Sequence, residues 1–555
     1  MTAHSVLQSD RRLLCRRWRE QGWHADSTLG ERFAEVAGSH PDVSITFATA
    51  ESFAVPGAQP PTVTLAELHR RASALAGGLQ SLGLRAGDIV VIQAPHSLES
   101  AITIQAAMLA GLVVAPVIHI YAEAELSYIL AETGARALVV PKSWRKIDFL
   151  ARVEAVRADC PALEHVIVLG GQTRDGLIAW HDLEERSASF TPPSLDADDL
   201  AAVIYTSGTS SGQLKGAQHT HNSLLSQTRT GYSAATAFDP RVPHLSPSPA
   251  GHIAGLLVIL RAMAAPLSMI VMDSWDTDAA LRLCLRLHPA HMNGAPFFYT
   301  SLFEAERAAG VENKWPTTYQ TGGANVPPTV IEHGERTGRI GWRIYGSSEV
   351  PSLAHSDADE DFHGRAHTDG KAGPGDEIRV VDDDYDDVPV GSDGEVIARG
   401  PQMFTGYFRR PDLTEACFVP GGWFATGDIG RLDEQGRLTI TGRKKDIIIR
   451  GGENLSAKEI EDLVATHPAV VEAAAIAVPD ERYGERLCAV VRLRPGATLT
   501  LDDIRTHFAA AGVAKQKTPE YLAILERPWP RTESGKVRKA DLQAMVLAER
   551  GDLAD

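Results

Sequence analysis

Small and hydroxyl-bearing residues follow directly after the apolar segment 200–205. They are Thr206, Ser207, Gly208, Thr209, Ser210, Ser211 and Gly212, and Lys215 comes shortly after them. Hydroxyl and backbone N–H groups donate hydrogen bonds to phosphate oxygens, and glycine lets the backbone approach them closely. We therefore expect a polyphosphate-binding loop here. A flexible Ser/Gly linker is the alternative for this string alone, and the G-x-x-x-x-G-K-[ST] pattern is absent.

Five more short strings follow this loop along the chain. They are Thr-Gly-Gly-Ala at 321–324, Tyr-Gly-Ser-Ser-Glu at 345–349, Thr-Gly-Asp at 426–428, Gly-Arg-Lys-Lys-Asp at 442–446 and Pro-Arg-Thr-Glu-Ser-Gly-Lys at 530–536. In this order they resemble the adenylate-forming superfamily, which comprises acyl-CoA ligases, aryl-acid activating enzymes, luciferases and peptide-synthetase adenylation domains. The resemblance implies a two-step reaction with Mg²⁺ as cofactor: a carboxylic acid and ATP form acyl-AMP and pyrophosphate, and CoA then receives the acyl group, releasing AMP.

The resemblance implies a nucleotide site made from these strings. Tyr345 would stack on adenine, Ser348 would contact the α-phosphate, and Glu349 would hold Mg²⁺, a hard cation that prefers oxygen ligands. Asp428 would accept hydrogen bonds from both ribose hydroxyls, because a carboxylate has two acceptor oxygens. Arg443 would bind ribose or phosphate. The other expected nucleotide-binding residues are Gly322, Gly323, Ala324, Gly346 and Ser347.

The phosphate loop departs from the superfamily pattern by one residue. Members usually read Thr-Ser-Gly-Thr-Thr-Gly-x-Pro-Lys-Gly, with lysine six residues after the first glycine, whereas seven separate Gly208 from Lys215 here. A misplacement of about 1 Å can cost roughly a hundredfold in rate. Two interpretations stay open: the loop still grips ATP, or the protein performs only the second step on acyl-AMP from a separate adenylating enzyme.

The last string carries Lys536, near the end of the sequence. The resemblance implies that this lysine neutralises charge passing between the carboxylate and the α-phosphate, although a solvated basic tail is the alternative. Removing such a donor typically costs ~10²–10³ in rate. Lys445 would be the hinge about which a C-terminal domain rotates after acyl-AMP forms. The loop containing Gly451, Gly452 and Glu453 would then replace Lys536 and admit the pantetheine arm of CoA.

Two segments rich in small residues, 248–255 and 293–298, fall where the resemblance implies an acid pocket. His252 would lie beside the carboxylate, with a buried structural histidine as the alternative. Ile253 stands where siderophore-type aryl-acid ligases use asparagine to read an ortho hydroxyl, which disfavours hydroxybenzoates. The small side chains predict a roomy apolar pocket for a bulky alicyclic, terpenoid or medium-chain acid. Its expected residues are Gly251, Ile253, Gly255, Gly294, Ala295 and Phe297.

Three further segments, 116–121, 140–145 and 219–222, resemble bacterial acyl-CoA ligases of the cyclohexanecarboxylate type. A ligase of platensimycin-type diterpenoid pathways, and so of antibiotic biosynthesis, is one refinement. His219 and His221 have the spacing of a metal pair, but no third ligand is in view, so we expect no metal there. The acceptor could also be a carrier-protein phosphopantetheine acting in trans. A nucleotide-binding scaffold without catalysis is the non-enzyme alternative, and the retained Lys536 and Glu349 argue against it.

Apolar runs alternate with helical patterns between residues 88 and 141, which favours parallel sheets covered by helices. The predicted fold class is α/β: a large N-terminal domain of two layered α/β subdomains plus a small β-barrel-like one, followed by a mobile α+β domain. We expect the first domain at 1–444, with its β-rich part at about 376–442. The mobile domain is expected at 445–555.

Composition limits the partners. The formal net charge of −17 disfavours a nucleic-acid or anionic-membrane surface, since both need clustered lysine and arginine. Five widely spaced cysteines suggest reduced thiols, and no apolar run approaches a membrane span. We therefore expect a cytoplasmic protein. The basic start, residues 11–19, lacks a following apolar region and is expected to be a solvated helix or strap.

Overall fold

The computed structural model describes residues 3–49, 52, 59–170, 174, 176–185, 190–206, 214–230, 239, 241–450, 453–480, 484–513, 515–532 and 535–549. Its α-helices include Ala3–Glu20, Leu29–Ser39, Leu65–Ser81, Leu98–Leu109, Glu123–Thr133, Phe149–Arg157, Trp180–Glu185, His221–Thr230, Ile253–Ala264, Thr277–Leu287, Pro296–Ala309, Pro328–Arg336, Phe362–His367, Pro411–Cys417, Ala457–Ala465, Leu501–Ala510 and Lys539–Glu549. Short 3₁₀ turns lie at Lys444–Asp446 and Lys515–Lys517.

Two large sheets dominate the N-terminal part. In spatial order, the first sheet joins Lys371–Ala372, Ala354–His355, Ile340–Tyr345, Thr318–Gly322, His291–Gly294, His244–Ser246, Met269–Met272, Ser44–Ala48 and Thr62–Thr64. The second joins Lys215–Thr220, Leu200–Thr206, Val113–Pro116, Ile89–Ile92, Ala137–Pro141, His165–Leu169 and Ile178–Ala179. Their central strands run parallel, so the loops that follow these strands gather at one edge of each sheet.

The main hydrophobic core lies between these two sheets. Helices Leu65–Ser81, Leu98–Leu109 and Ile253–Ala264 supply buried side chains to it, and strands of both sheets close it from either side. All four residues of Ile89–Ile92 are buried, as expected for a parallel strand that is covered on both faces. This layering holds the strand ends, and the loops that follow them, in fixed positions.

Two smaller sheets follow. The first is antiparallel and joins Glu377–Val381, Gly394–Arg399, Trp423–Leu432, Phe418–Val419 and Leu438–Arg443. The C-terminal sheet joins Glu453–Ser456, Ile447–Arg450, Gly484–Leu493, Val470–Asp480 and Tyr521–Ile524. Separate apolar clusters cover its two faces, one including helix Ala457–Ala465 and the other helix Lys539–Glu549. A short ribbon pairs Ser143–Trp144 with Ile147–Asp148. The predicted mixed α/β fold is confirmed.

Local signals set the helix ends more sharply than apolar periodicity does. The sequence predicts a helix over 97–112, and the structure has Leu98–Leu109. Ser97 caps its start, with Oγ accepting a hydrogen bond from the Ser100 amide at 3.1 Å. The helix stops early because Gly111 adopts a φ of +71°, which reverses the chain into the next strand.

The basic N-terminal segment forms the helix Ala3–Glu20, as expected, but one of its faces is buried. Leu14 and Trp18 pack into an apolar cluster with Phe404, and Arg17 lies 3.0 Å from a Glu377 oxygen. This helix therefore packs on the β-rich region. Among all helices in the described ranges, none is both long and apolar enough to cross a membrane.

Candidate active site

The ends of two parallel strands bring the Gly-Gly turn beside Tyr345. Strand Thr318–Gly322 pairs with Ile340–Tyr345, and Gly322 lies opposite Ile344. A Cβ on Gly322 would lie 2.2 Å from the Ile344 carbonyl oxygen, so this close approach requires glycine. The next residue, Gly323, has a φ of +74°, which glycine adopts without strain. The turn thus presents backbone at the position expected to contact adenine.

Asp428 is the centre of a buried polar cluster. Its Oδ2 accepts a hydrogen bond from the Tyr345 hydroxyl at 2.6 Å, and its Oδ1 lies 2.7 Å from Nε of Arg443. Asp428 and Arg443 face each other across neighbouring antiparallel strands. Burial, and then the charge of Asp428, raises the pKa of Tyr345, so its hydroxyl keeps the proton that it donates. Three residues predicted to share a nucleotide site therefore lie in direct contact.

The turn after Tyr345 is held by its own backbone and by Ser347. Ser347 Oγ accepts hydrogen bonds from the amides of Glu349 and Val350, both at 3.2 Å. A Cβ on Gly346 would lie 2.1 Å from a backbone carbonyl oxygen of the same turn, so this turn requires glycine. Ala324, which ends the Gly-Gly string, is half-buried.

His219 supports the same turn from the second sheet. Its Nε2 lies 2.7 Å from the Ser348 carbonyl oxygen, and burial lowers the pKa of His219 to about 4. The neutral ring therefore donates this hydrogen bond. His221 accepts one from the Leu29 amide at 3.4 Å through Nδ1. No cluster of three or more His, Cys, Asp and Glu side chains in the described part of the chain could hold a metal ion. His219 and His221 each hold a backbone group of another segment through a hydrogen bond.

Glu349 carries the carboxylate expected to meet Mg²⁺. Its Oε1 accepts a hydrogen bond from the Tyr407 hydroxyl at 2.7 Å, and its carbonyl accepts one from the Phe404 amide at 2.8 Å. Sequence reasoning missed Tyr407, because only the preceding Gly406 marks it. A carboxylate with one oxygen anchored by a hydrogen bond suits a magnesium ion, which is usually bound through one or two protein carboxylates together with phosphates.

The phosphate loop closes a hairpin. Strands Leu200–Thr206 and Lys215–Thr220 pair without interruption from Ala202 onward, and Thr206 lies opposite Lys215. The additional residue therefore lies between these two positions, and the strands that carry the loop are regular. Six predicted loop residues lie outside the described residues: Ser207, Gly208, Thr209, Ser210, Ser211 and Gly212.

The first acid-pocket segment leads into the buried helix Ile253–Ala264, with His252 at its N-cap position. A Cβ on Gly251 would lie 2.1 Å from the Ile118 amide nitrogen, and one on Gly255 would lie 1.9 Å from the Pro249 carbonyl oxygen. Backbone thus fills the room that the sequence predicted from these two glycines. Ile253 itself packs into the main core.

The second acid-pocket segment begins helix Pro296–Ala309. Ala295 is buried at its N-cap, and a Cβ on Gly294 would lie 2.7 Å from the ring of Phe298. Phe297 points outward and is 38% exposed. The exposed ring of Phe297 is therefore available for contacts from another part of the chain.

The Lys536 string lies against Phe297. Gly535 has a φ of +83°, and a Cβ there would lie 3.1 Å from Phe297 Cβ. The Arg531 guanidinium lies 5.3 Å from the centre of the Phe297 ring, and its Nη1 donates to the Gly535 carbonyl at 2.8 Å. The Lys536 amide donates to Thr532 Oγ1 at 3.2 Å, which tightens the loop. The structure thus brings the C-terminal string to the acid-pocket segment.

The remaining predicted residues lie around the C-terminal sheet. Lys445 lies in the 3₁₀ turn Lys444–Asp446, and Glu453 begins a strand and pairs with Arg450. Gly451 and Gly452 lie outside the described residues. A second contact between the two parts of the chain joins Asn325 Nδ2 to Asp462 Oδ1 at 2.7 Å.

Comparison with known proteins agrees with this arrangement. Residues 34–408 match the AMP-binding enzyme family, and residues 459–536 match the AMP-binding enzyme C-terminal domain. The chain is 32% identical to a medium-chain fatty-acid–CoA ligase of Escherichia coli K12, covering 96% of this chain and 92% of that one. It is 30% identical to the 3-[(3aS,4S,7aS)-7a-methyl-1,5-dioxo-octahydro-1H-inden-4-yl]propanoyl:CoA ligase of Rhodococcus jostii, over 86% and 92% of the two chains.

The fold of the chain also matches that of a solved structure. ATP-bound MatB from Rhodopseudomonas palustris superposes with a TM-score of 0.81 at 30% identity, covering 94% of this chain and 99% of that one. With a family match over more than half of its length, the chain belongs to the AMP-binding enzymes of the adenylate-forming superfamily, as an AMP-forming acid–thiol ligase of the acyl-CoA ligase branch that works through an acyl-AMP intermediate.

Proposed function

We propose that this ligase joins a bulky apolar carboxylic acid to CoA. The observation that supports it is the packing of Gly535 and Arg531 on Phe297, which sets the Lys536 loop against the acid-pocket segment. Adenylation needs this proximity, because the ammonium must meet charge that develops between the acid and the α-phosphate. The names of two relatives, a medium-chain fatty acid ligase and an octahydroindenyl propanoyl ligase, support an apolar acid of some bulk.

The proposed reaction proceeds in two displacements. A carboxylate oxygen attacks the α-phosphorus of ATP, the bond to the β-phosphate oxygen breaks, and pyrophosphate leaves. The CoA thiol then loses its proton and attacks the acyl carbon, the bond to the phosphate oxygen breaks, and AMP leaves. Lys536 would stabilise the first step electrostatically, and Ser348 would contact the α-phosphate in the same step.

The nucleotide would lie over the Gly322–Gly323 turn, and Mg²⁺ would bind to Glu349. Asp428 would hold the ribose hydroxyls while Arg443 and Tyr345 fix the orientation of its carboxylate. Mg²⁺, when bound, would neutralise charge on the phosphates. The side chains of Asp428, Arg443 and Tyr345 would thus orient the nucleotide.

We also propose that residues 445–555 move as a unit about Lys445 relative to residues 1–444, which include the β-rich part at about 376–442. Rotation would withdraw the Lys536 loop and bring Gly451, Gly452 and Glu453 toward the acyl carbonyl. Asn325 and Asp462 would separate in this motion, since their hydrogen bond joins the two parts.

A second candidate function keeps only the thioester-forming step. The observation that favours it is the additional residue, which the regular pairing of Thr206 with Lys215 locates between these two positions. In that case, a separate adenylating enzyme would supply acyl-AMP. A carrier-protein phosphopantetheine is an alternative acceptor for either version.

A paired assay tests the proposal across alicyclic, diterpenoid and medium-chain fatty acids. One reaction contains acid, ATP, Mg²⁺ and CoA, and the other contains preformed acyl-AMP with CoA. We expect acyl-CoA from both. Product from acyl-AMP alone would refute the complete two-step function and favour the second candidate. Replacing CoA by a phosphopantetheinylated carrier protein decides between the acceptors.

Lys536→Ala is the informative variant in this assay. It should slow the ATP-dependent reaction by roughly 10²–10³ and leave the acyl-AMP reaction close to the wild-type rate. Arg538→Ala is the matched control, because Arg538 is exposed two residues away and should change neither rate. Equal loss in both reactions for Lys536→Ala would contradict the proposed role.

A further inference from the structure

Tyr407 connects the two groups that would handle the triphosphate. Its hydroxyl donates to Glu349 Oε1 at 2.7 Å. The Lys215 ammonium lies 5.4 Å from the centre of the same ring, within the range of a cation–π contact. One side chain thus contacts both the carboxylate expected to hold Mg²⁺ and the lysine that follows the phosphate loop.

The backbone around Tyr407 is fixed by the strand that carries Lys215. The Gln218 amide donates to the Gly406 carbonyl at 3.0 Å, and the Phe408 amide donates to the Gly216 carbonyl at 2.7 Å. The Tyr407 amide donates to Thr414 Oγ1 at 2.9 Å. The tyrosine is therefore attached to strand Lys215–Thr220 on both sides, and its side chain reaches across to Glu349.

Burial supports a defined geometry for this contact. Tyr407 is 8% exposed, and its ring packs edge-on against Phe404, with centroids 5.1 Å apart. A donor held in this way fixes one carboxylate oxygen and thereby directs the other.

We propose that Tyr407 is a positioning residue for metal-bound ATP: its hydroxyl orients the Glu349 carboxylate toward the cation, and its ring supports Lys215 beside the phosphates. The inference rests on the proposed role of Glu349 as the metal-binding carboxylate. The hydroxyl and the ring contribute separately, so substitutions can separate their effects.

Tyr407→Phe removes the hydroxyl and keeps the ring. Calorimetric titrations would measure the binding of ATP with Mg²⁺, ATP with EDTA, and AMP. We expect the gain in ATP affinity caused by Mg²⁺ to fall roughly tenfold, because a hydrogen bond to a charged group is lost, while AMP affinity stays unchanged. Tyr407→Leu should in addition weaken metal-free ATP, since Lys215 loses its aromatic partner.

Tyr128→Phe is the matched control. Tyr128 also donates to a glutamate carboxylate at 2.7 Å, in this case Glu132 Oε1 on helix Glu123–Thr133. This variant should leave all three affinities at wild-type values. If it lowers the Mg²⁺ gain as much as Tyr407→Phe does, the effect is not specific to Glu349 and the proposal is wrong.

Glu349→Gln tests the proposed metal-binding role of Glu349 separately from the proposed positioning role of Tyr407. If Glu349→Gln leaves the Mg²⁺ gain intact, the proposed metal role of Glu349 fails, and the inference fails with it. If Glu349→Gln abolishes the gain but Tyr407→Phe does not change it, only the inference is overturned. We expect Tyr407→Phe to have no further effect in the Glu349→Gln background, and a full additional tenfold loss there would also overturn it.

Discussion

Replacing Asp428 by asparagine is expected to weaken nucleotide binding through the ribose hydroxyls. The carboxylate is anchored by Tyr345 at 2.6 Å and by Arg443 at 2.7 Å, so its orientation is set before any ligand arrives. Asparagine preserves the shape of the side chain but removes the charge and exchanges one acceptor for a donor. The ribose hydroxyls, which would donate to both carboxylate oxygens, would therefore lose one acceptor and the negative charge of the other.

The size of the expected loss in AMP affinity follows from the burial and the charge of Asp428. The Asp428 side chain is 5% exposed, so water cannot replace the lost acceptor, whereas Arg443 is 34% exposed and can hydrate in part. Hydrogen bonds to charged groups contribute about 1.5–3 kcal/mol, so we expect AMP affinity to fall by about 2 kcal/mol, or roughly 30-fold. The free energy of unfolding should fall by only about 1–2 kcal/mol, less than for a fully buried ion pair.

Calorimetry with AMP and with 2′,3′-dideoxy-AMP measures the effect. The wild-type protein should bind the dideoxy compound roughly 30-fold more weakly than AMP, while Asp428→Asn should bind the two about equally. Asp433→Asn is the control, because it weakens another Asp–Arg contact of 2.7 Å, to Arg437, outside the proposed nucleotide site. If Asp428→Asn weakened both ligands to the same extent, or neither, the carboxylate would not contact the ribose.

Three further outcomes are expected. Gly535→Ala places a Cβ at a φ of +83° and 3.1 Å from Phe297, which should destabilise the position of the Lys536 loop by about 1 kcal/mol. Acid-dependent pyrophosphate exchange should therefore slow roughly fivefold, while the turnover of acyl-AMP stays unchanged. Equal slowing of both reactions would contradict this expectation. Arg339→Met leaves Glu306 buried without its guanidinium, and urea unfolding should show a loss of about 3 kcal/mol, with an unchanged midpoint as the contrary result. Burial lowers the pKa of His219 from 6.5 to about 4. As the pH drops from 6.5 to 4, His219 therefore binds a proton in the unfolded chain but not in the folded one, and the free energy of unfolding falls. His219→Gln should reduce the dependence of the free energy of unfolding on pH by up to about 1.4 kcal/mol per pH unit. An unaltered dependence would refute the conclusion that His219 is held neutral in the folded protein.

The fold class was predictable because it depends on short-range patterns, and so were several of the residues that the structure brings together around Asp428. The sequence predicts a strand over 137–141, and the structure has Ala137–Pro141, since a run of β-branched and apolar residues between turns marks a strand locally. The Gly-Gly turn and the Tyr345 turn each lie within five residues, so their chemistry is visible as a string. Asp428 and Arg443 were predicted to share a site, and they face each other across adjacent strands.

Space in the acid pocket was not predictable from residue size. Gly251 and Gly255 suggested an open cavity, but each is pressed against backbone of another segment or turn. A glycine leaves room only where nothing else approaches, and close packing of the interior usually fills that room. The sequence therefore predicts which segments form the acid pocket but not the volume that they enclose.

By itself, the sequence determined the enzyme family, because the order of its motifs is that of an adenylate-forming ligase and each motif is local. Only the tertiary structure decided how those motifs support one another. Tyr407 reaches Glu349 across 58 positions and His219 reaches Ser348 across 129. Such contacts depend on strand register and on the packing of one sheet against another, and no periodicity in the chain records them.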